Sequence, residues 1–123
     1  MNLLDTSALI ELICGTPKGA KIRTLINDKP VATSSFTLYE LQMGLKTQDL
    51  TRINSLFKEI KVFEFESKAA LKSAEIEKRL KSKGDMINKV DIFIAGICLV
   101  NNCILVTCDE DFGRIEGLKS EFY

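Results

Sequence analysis

The sequence predicts an α/β fold: a three-layer α/β/α arrangement with a short, mainly parallel central sheet in a single domain, residues 1–123. Three observations predict it. Short apolar runs end at Leu4, Thr33, Phe65 and Thr107, and longer segments of helical periodicity separate them, the alternation that builds a parallel sheet covered on both faces. The last run, Cys103-Ile104-Leu105-Val106-Thr107, is apolar without a break until its end, as a strand buried on both faces should be. Acidic residues follow the first, second and last of these runs, and in open α/β sheets ligands bind just beyond the carboxyl ends of the strands.

Taken in order, Met1 to Leu4 is the first strand, stopping at Asp5, and Thr6 to Cys14 is a helix ended by Gly15-Thr16-Pro17. Lys18 to Asn27 forms a second helix, with Ile22, Leu25 and Ile26 on one face, and Val31-Ala32-Thr33 is the second strand. Phe36 to Leu45 is helical. Asp49 is the expected cap of the next helix, in which Leu50, Ile53, Leu56, Phe57 and Ile60 recur at helical spacing. Val62 to Phe65 alternates and forms the third strand. Ser67 is the expected cap of a long helix with Ala70, Leu71, Ala74, Ile76 and Leu80 inward, ended at Gly84. Asn88 to Asn102 is the most apolar helix and precedes the strand Cys103 to Thr107. The tail from Arg114 to Tyr123 is too weakly patterned to specify an element.

The composition, 46% apolar and 28% charged, is that of an ordinary globular protein. No apolar run reaches the roughly 18–20 residues of a membrane span, and no basic start leads into an apolar stretch and a cleavage site, so the expectation is a soluble cytoplasmic protein with no membrane contact. Bases and acids balance at 17 each, which leaves no global field for nucleic acid. With four acids gathered round a cation, however, 13 face 17 bases elsewhere, and Lys78, Arg79, Lys81 and Lys83 form either a local basic patch or a solvated helix face. There is no histidine, which excludes a Cys–His pair and any histidine base. The four cysteines contain no C-x-x-C pair, so a structural zinc site is not expected and buried, reduced thiols are.

Each acid has two readings. Asp5 alone reads as an N-cap, although Thr6 and Ser7 could cap in its place. Glu40 completes a T-x-x-E capping box from Thr37, or stands on a first helical turn facing the same sheet edge as Asp5. Asp91 opens a run of nine uncharged, mainly apolar residues, where a carboxylate needs a partner or a metal; Asn88-x-x-Asp91 is its capping alternative. Asp109 and Asp111 read as a solvated turn or as further acids in the cleft, with Thr107 offering a hydroxyl. Carboxylates gathered at one site repel unless a cation neutralises them. An all-oxygen set suits Mg²⁺ or Mn²⁺, and metal activation of water is the simplest chemistry left.

Leu4-Asp5-Thr6-Ser7-Ala8-Leu9 resembles the start of PIN-domain proteins. Phe36-Thr37-Leu38-Tyr39-Glu40-Leu41 with Gly44, Asp91-Ile92-Phe93-Ile94-Ala95 and Leu105 to Phe112 resemble that family's later motifs, in order and at ordinary spacing over nearly the whole chain. The compact length is similar to VapC-type toxins of prokaryotic toxin–antitoxin pairs. The resemblance implies a Mg²⁺- or Mn²⁺-dependent ribonuclease with Asp5, Glu40, Asp91 and Asp109 as its acidic quartet. It also implies Asp111 as an extra acid, with Thr6, Ser7 and Thr107 as supporting hydroxyls. An RNA substrate, a small antitoxin partner and a homodimer follow from the same likeness. The competing expectations are an RNA-processing nuclease without an antitoxin and a non-enzymatic, receiver-like interaction module. The latter wants a phosphoacceptor aspartate after the third strand, where this chain has Phe65-Glu66-Ser67.

Overall fold

In the computed structural model, which describes residues 1–123, the chain forms β1 (Asn2–Leu4), α1 (Thr6–Cys14), α2 (Pro17–Ile26), β2 (Val31–Ser34), α3 (Ser35–Gly44) and α4 (Thr47–Phe57). There follow β3 (Lys61–Phe63), α5 (Ser67–Ser82), α6 (Lys89–Val100), β4 (Ile104–Thr107), a 3-10 turn (Glu110–Arg114) and β5 (Ser120–Phe122). The sheet order is β3-β2-β1-β4-β5. Every pairing is parallel, so the sheet is wholly rather than mainly so. Leu3 pairs with Ala32 and Leu105, and Leu4 with Val106.

The alternation of side chains across this short sheet divides the core in two. Leu3, Ala32 and Leu105 face α5 and α6, where Ile92, Ile94 and Ile97 meet them. Leu4 and Val106 face the opposite layer, against Leu9, Ile22, Leu41 and Ile53 from α1 to α4. Each such side chain, fully buried, contributes on the order of 1.5–3 kcal/mol. No helix is long and apolar enough to cross a membrane.

From β1 the chain moves outward through β2 to β3, then returns through α5 and α6 to β4 on the other flank of β1. The direction of winding reverses between β1 and β4, and a crevice at such a switch point is where open α/β sheets bind ligands. A receiver-like order would set β3 beside β1; here β3 is an edge strand.

Helices α5 and α6 approach closely at Gly96. A Cβ there would lie 2.8 Å from the Ala69 carbonyl oxygen and collide with the Ser73 hydroxyl. Gly96→Ala is therefore expected to lower stability by about 1–3 kcal/mol, read as an earlier urea midpoint at unchanged slope. An unmoved midpoint would contradict this packing.

Several local expectations are corrected. Lys46, not Asp49, occupies the N-cap of α4, and Asp49 lies in the first turn, where its charge complements the helix dipole. Glu66 holds the N-cap position of α5, and Ser67 is already helical. The buried stripe of α5 is Ala69, Ser73, Ile76 and Leu80. Ala70 and Ala74 face solvent with Leu71, which is 70% exposed. The third strand stops at Phe63, because Phe65 leaves the sheet to pack on Phe36 and Phe93. The tail supplies β5, paired in parallel with β4. All four cysteines are free; Cys98 and Cys103 are buried, but Cys14 is exposed and Cys108 half-buried.

Candidate metal centre

The switch-point crevice is lined by the residues that leave β1, β2 and β4. Asp5 follows β1 directly and is only 4% exposed. Its backbone N–H donates to the Val106 carbonyl, which ties it to the end of β4. Its Oδ1 accepts the Ala8 N–H at 3.0 Å and the Ser7 hydroxyl at 2.7 Å, and its Oδ2 accepts the Thr107 hydroxyl at 2.6 Å. Asp5 is thus the N-cap of α1 after all, not relieved of that duty by Thr6 or Ser7. One oxygen caps while the other faces Thr107. Burial raises its pKa above the ordinary carboxylate value, opposed by hydrogen bonds from Thr107, Ala8 and Ser7 and reinforced by the charge of Asp109.

The two hydroxyls extend this frame. The Thr107 Oγ1 accepts the Asp109 N–H at 3.0 Å, and the Ser7 Oγ accepts the Cys108 N–H at 2.9 Å. Each hydroxyl gives its one proton to Asp5 and takes an amide from the β4 exit, so β1 and β4 are fixed to each other at the carboxylate. The Asp109 Oδ1 in turn caps the 3-10 turn by accepting the Asp111 N–H at 2.9 Å.

Glu40 does not form the capping box. The N-cap of α3 is Ser34, whose Oγ accepts the Thr37 N–H at 3.2 Å, and Thr37 already lies inside the helix. The Glu40 Oε1 accepts the Thr6 hydroxyl at 2.7 Å, an interaction that spans from α3 to the first turn of α1. Thr37 lies 3.3 Å from the same hydroxyl. The helix expected from Phe36 starts one residue earlier, at Ser35, and its cap Ser34 is a positioning residue that the T-x-x-E alternative passed over; Ser34-Ser35 at a strand end was the available signal.

Asp91 differs from the others. Asn88 caps α6 by accepting the Val90 N–H at 2.9 Å, and Asp91 does not reach back to complete a box. Its side chain accepts no hydrogen bond and pairs with no cation, though it is half-buried. Its pKa is raised to about 7, first by burial and then by the negative charges of Asp109, Asp5, Glu40 and Asp111, in falling order. Asp111 stands further off, with Arg114 at 3.5 Å. The fold thus gathers all five candidate acids into one electrostatic site. No three of them close to the spacing of a direct cation cage. Their all-oxygen donor chemistry would suit a hard divalent cation such as Mg²⁺ or Mn²⁺.

The family model of the PIN domain matches residues 3–118. The chain belongs to the PIN-domain family. Curated relatives of this PIN domain include the tRNA(fMet)-specific endonuclease VapC of Salmonella typhimurium, 27% identical over 125 residues that cover 97% of this chain and 95% of that protein. Ribonuclease VapC2 of Rickettsia felis is 28% identical, again over 97% of this chain and 95% of that protein. Among solved structures, VapBC2 from Rickettsia felis bound to a DNA fragment from its promoter contains a chain that superposes with a TM-score of 0.86 at 26% identity, covering 99% of this chain and 98% of that one. In this PIN domain the matched span runs from β1 past the 3-10 turn and takes in every acid described above.

Proposed function

We propose that this PIN domain is a Mg²⁺- or Mn²⁺-dependent endoribonuclease that acts in the cytoplasm as the toxin of a VapBC-type pair, held inactive by a small antitoxin and working as a homodimer. The observation that carries the chemistry is Asp91. A half-buried carboxylate with no hydrogen bond and no counter-ion, surrounded by four acids, fits a site completed by a cation. The likeness to VapC endonucleases over nearly the whole length of both chains supports the RNA substrate. The likeness to a chain of a VapBC complex supports the antitoxin.

Asp5, Glu40, Asp91 and Asp109 would hold the ion, with Asp111 at the margin. When bound, the ion supplies Lewis-acid activation of water and neutralises charge at the phosphodiester. The protein's own part is rigid positioning. Ser7, Thr107 and the Ala8 amide fix both oxygens of Asp5, Thr6 fixes Glu40, and the cap of the 3-10 turn orients Asp109. The chain has no histidine, the Thr6, Ser7 and Thr107 hydroxyls are committed to Glu40 or Asp5, and burial pushes the Cys108 thiol up, so water is the attacking group these residues favour.

Purified protein is expected to cleave structured RNA in Mg²⁺ or Mn²⁺ and to stop when EDTA is added, recovering when the metal is restored; cleavage that continues in EDTA would refute the mechanism. For the toxin role, expression alone is expected to arrest growth, and co-expression of an adjacent small open reading frame to relieve it. Cleavage without growth arrest would instead favour RNA processing on the same fold.

A further inference from the structure

The C-terminal end of α6 brings together two thiols that the acidic site does not use. Asn101 is the C-cap, Asn102 follows in the left-handed region at φ 53, and the chain enters β4 through Cys103. The Cys103 N–H donates to the Cys98 carbonyl at 3.0 Å, and the Asn102 N–H to the Leu99 carbonyl at 3.2 Å. These two bonds make a Schellman motif, in which the residue three before the cap meets the residue two beyond it in an apolar contact. Here both residues are cysteines. Cys98 is fully buried, Cys103 is 6% exposed, and both belong to the core beneath α6. The Cys98 Sγ donates to the Cys103 carbonyl at 3.2 Å, and the two thiols lie within hydrogen-bonding reach of each other.

Two aliphatic side chains would serve the motif equally well, so the contact by itself does not call for sulfur. The surroundings set the two thiols apart. The hydrogen bond from Cys98 holds the Cys103 thiol below the usual range, against burial, and the Met1 ammonium and Lys61 add to the effect. The same contact, with burial, pushes the Cys98 thiol up. One sulfur therefore favours the thiolate and its neighbour stays protonated, the arrangement of an attacking and a resolving cysteine. Cys103 also lies just beneath the surface, because Asn102 and Ile104 on either side of it are exposed. That setting favours an oxidant as small as hydrogen peroxide over a bulky disulfide.

We infer that Cys98 and Cys103 form a reversible disulfide when a hydroperoxide reaches them, a covalent staple across the connection from α6 to β4. The Cys103 thiolate attacks one peroxide oxygen, the O–O bond breaks, and hydroxide leaves, so that Cys103 becomes a sulfenic acid. The Cys98 sulfur then attacks the Cys103 sulfur. The S–O bond breaks, and the departing hydroxide takes the Cys98 proton and leaves as water. The sulfur pair has lost two electrons to the peroxide, and a dithiol reductant returns them. The staple touches none of the carboxylates, so it stands independently of the nuclease reading.

Peptide mapping of the whole chain tests it. Reduced protein is treated with hydrogen peroxide, unfolded, alkylated with iodoacetamide, digested with chymotrypsin and sequenced by tandem mass spectrometry. Exposed Cys14 serves as the internal reference. A Cys98–Cys103 link, lighter than the dithiol by two hydrogens, is expected to appear before Cys14 is oxidised and to vanish with dithiothreitol. In Cys98→Ala, Cys103 is expected to stop at the sulfenic acid, which dimedone captures. In Cys103→Ala, Cys98 is expected to remain alkylatable. Circular dichroism checks that both variants fold, and the wild-type map decides the matter without them. Peroxide that oxidises Cys14 while Cys98 and Cys103 stay alkylatable would overturn the inference. A link from either cysteine to Cys108 or to a second chain would do the same, as would sulfinic acid at Cys103 with no link in the wild-type protein.

Discussion

Asp91→Asn is expected to lower RNA cleavage at least about a hundredfold while making the metal-free protein more stable. The two effects have one cause. In the folded chain the Asp91 pKa is raised to about 7 by burial and by the surrounding acids, against an ordinary value of 3.8. The unfolded chain therefore releases this proton at lower pH than the folded one. Between about pH 4 and pH 7 the folded state binds more protons, and the group's contribution to stability falls as pH rises, levelling off above the folded pKa. Asparagine has the same shape and no charge, so it removes that slope. Solvent reaches half of the side chain and screens the repulsion, so the gain near pH 8 is about 1 kcal/mol, or roughly 3–5 °C in Tm, and vanishes near pH 4. Thermal melts of both proteins in EDTA across that range check the sign. A variant less stable than wild type at high pH would show that Asp91 has a stabilising partner in the fold.

Asp5→Asn is expected to be equally inactive for a different reason, and its contrast with Asp5→Ala separates charge from architecture. The amide oxygen can still accept the Ala8 N–H and the Ser7 hydroxyl, so the α1 cap survives. Thr107 must turn its proton away from the new amide N–H₂, while relief of the buried charge offsets that loss, leaving stability within about 1 kcal/mol of wild type. Asp5→Ala removes the cap and strands the Ser7 and Thr107 hydroxyls in a buried corner, a loss of about 2–4 kcal/mol. Both variants should lose at least about a hundredfold in cleavage, and urea denaturation should place only the alanine variant far from wild type. Full activity in Asp5→Asn would remove Asp5 from the reaction and leave it a cap.

Much of the fold was legible because its strands are apolar and its helices periodic. The β4 run Ile104 to Val106 could hardly be anything but a strand, although it is buried only from Leu105 onward and Ile104 is exposed, and the helices between strands required a parallel sheet. What stayed hidden had weak or misleading chemistry. β5, Ser120–Phe122, is a three-residue edge strand with one apolar side chain, and only pairing with β4 defines it. The α5 stripe was misphased because Ala and Ser suit either face of a helix, so Leu71 pulled the pattern toward solvent while Gly96 on α6 selected Ala69 and Ser73 for contact. At the site, the gathering of the acids was legible from their places after strands. The threonine and serine hydroxyls that fix them were only half so, because a hydroxyl that holds a carboxylate and one that caps a helix look alike in sequence. The T-x-x-E alternative points to Thr37 as the cap, whereas Ser34 holds that position.

The central claim is that Asp5, Glu40, Asp91 and Asp109 form one cation site, and calorimetric titration of Mn²⁺ tests it most directly. Wild-type protein is expected to bind Mn²⁺ with an affinity that rises from about pH 6 to about pH 8 as Asp91 loses its proton. Asp5→Asn and Asp91→Asn should each weaken binding at least about tenfold. Mn²⁺ affinity that neither substitution alters, at any pH in that range, would contradict it.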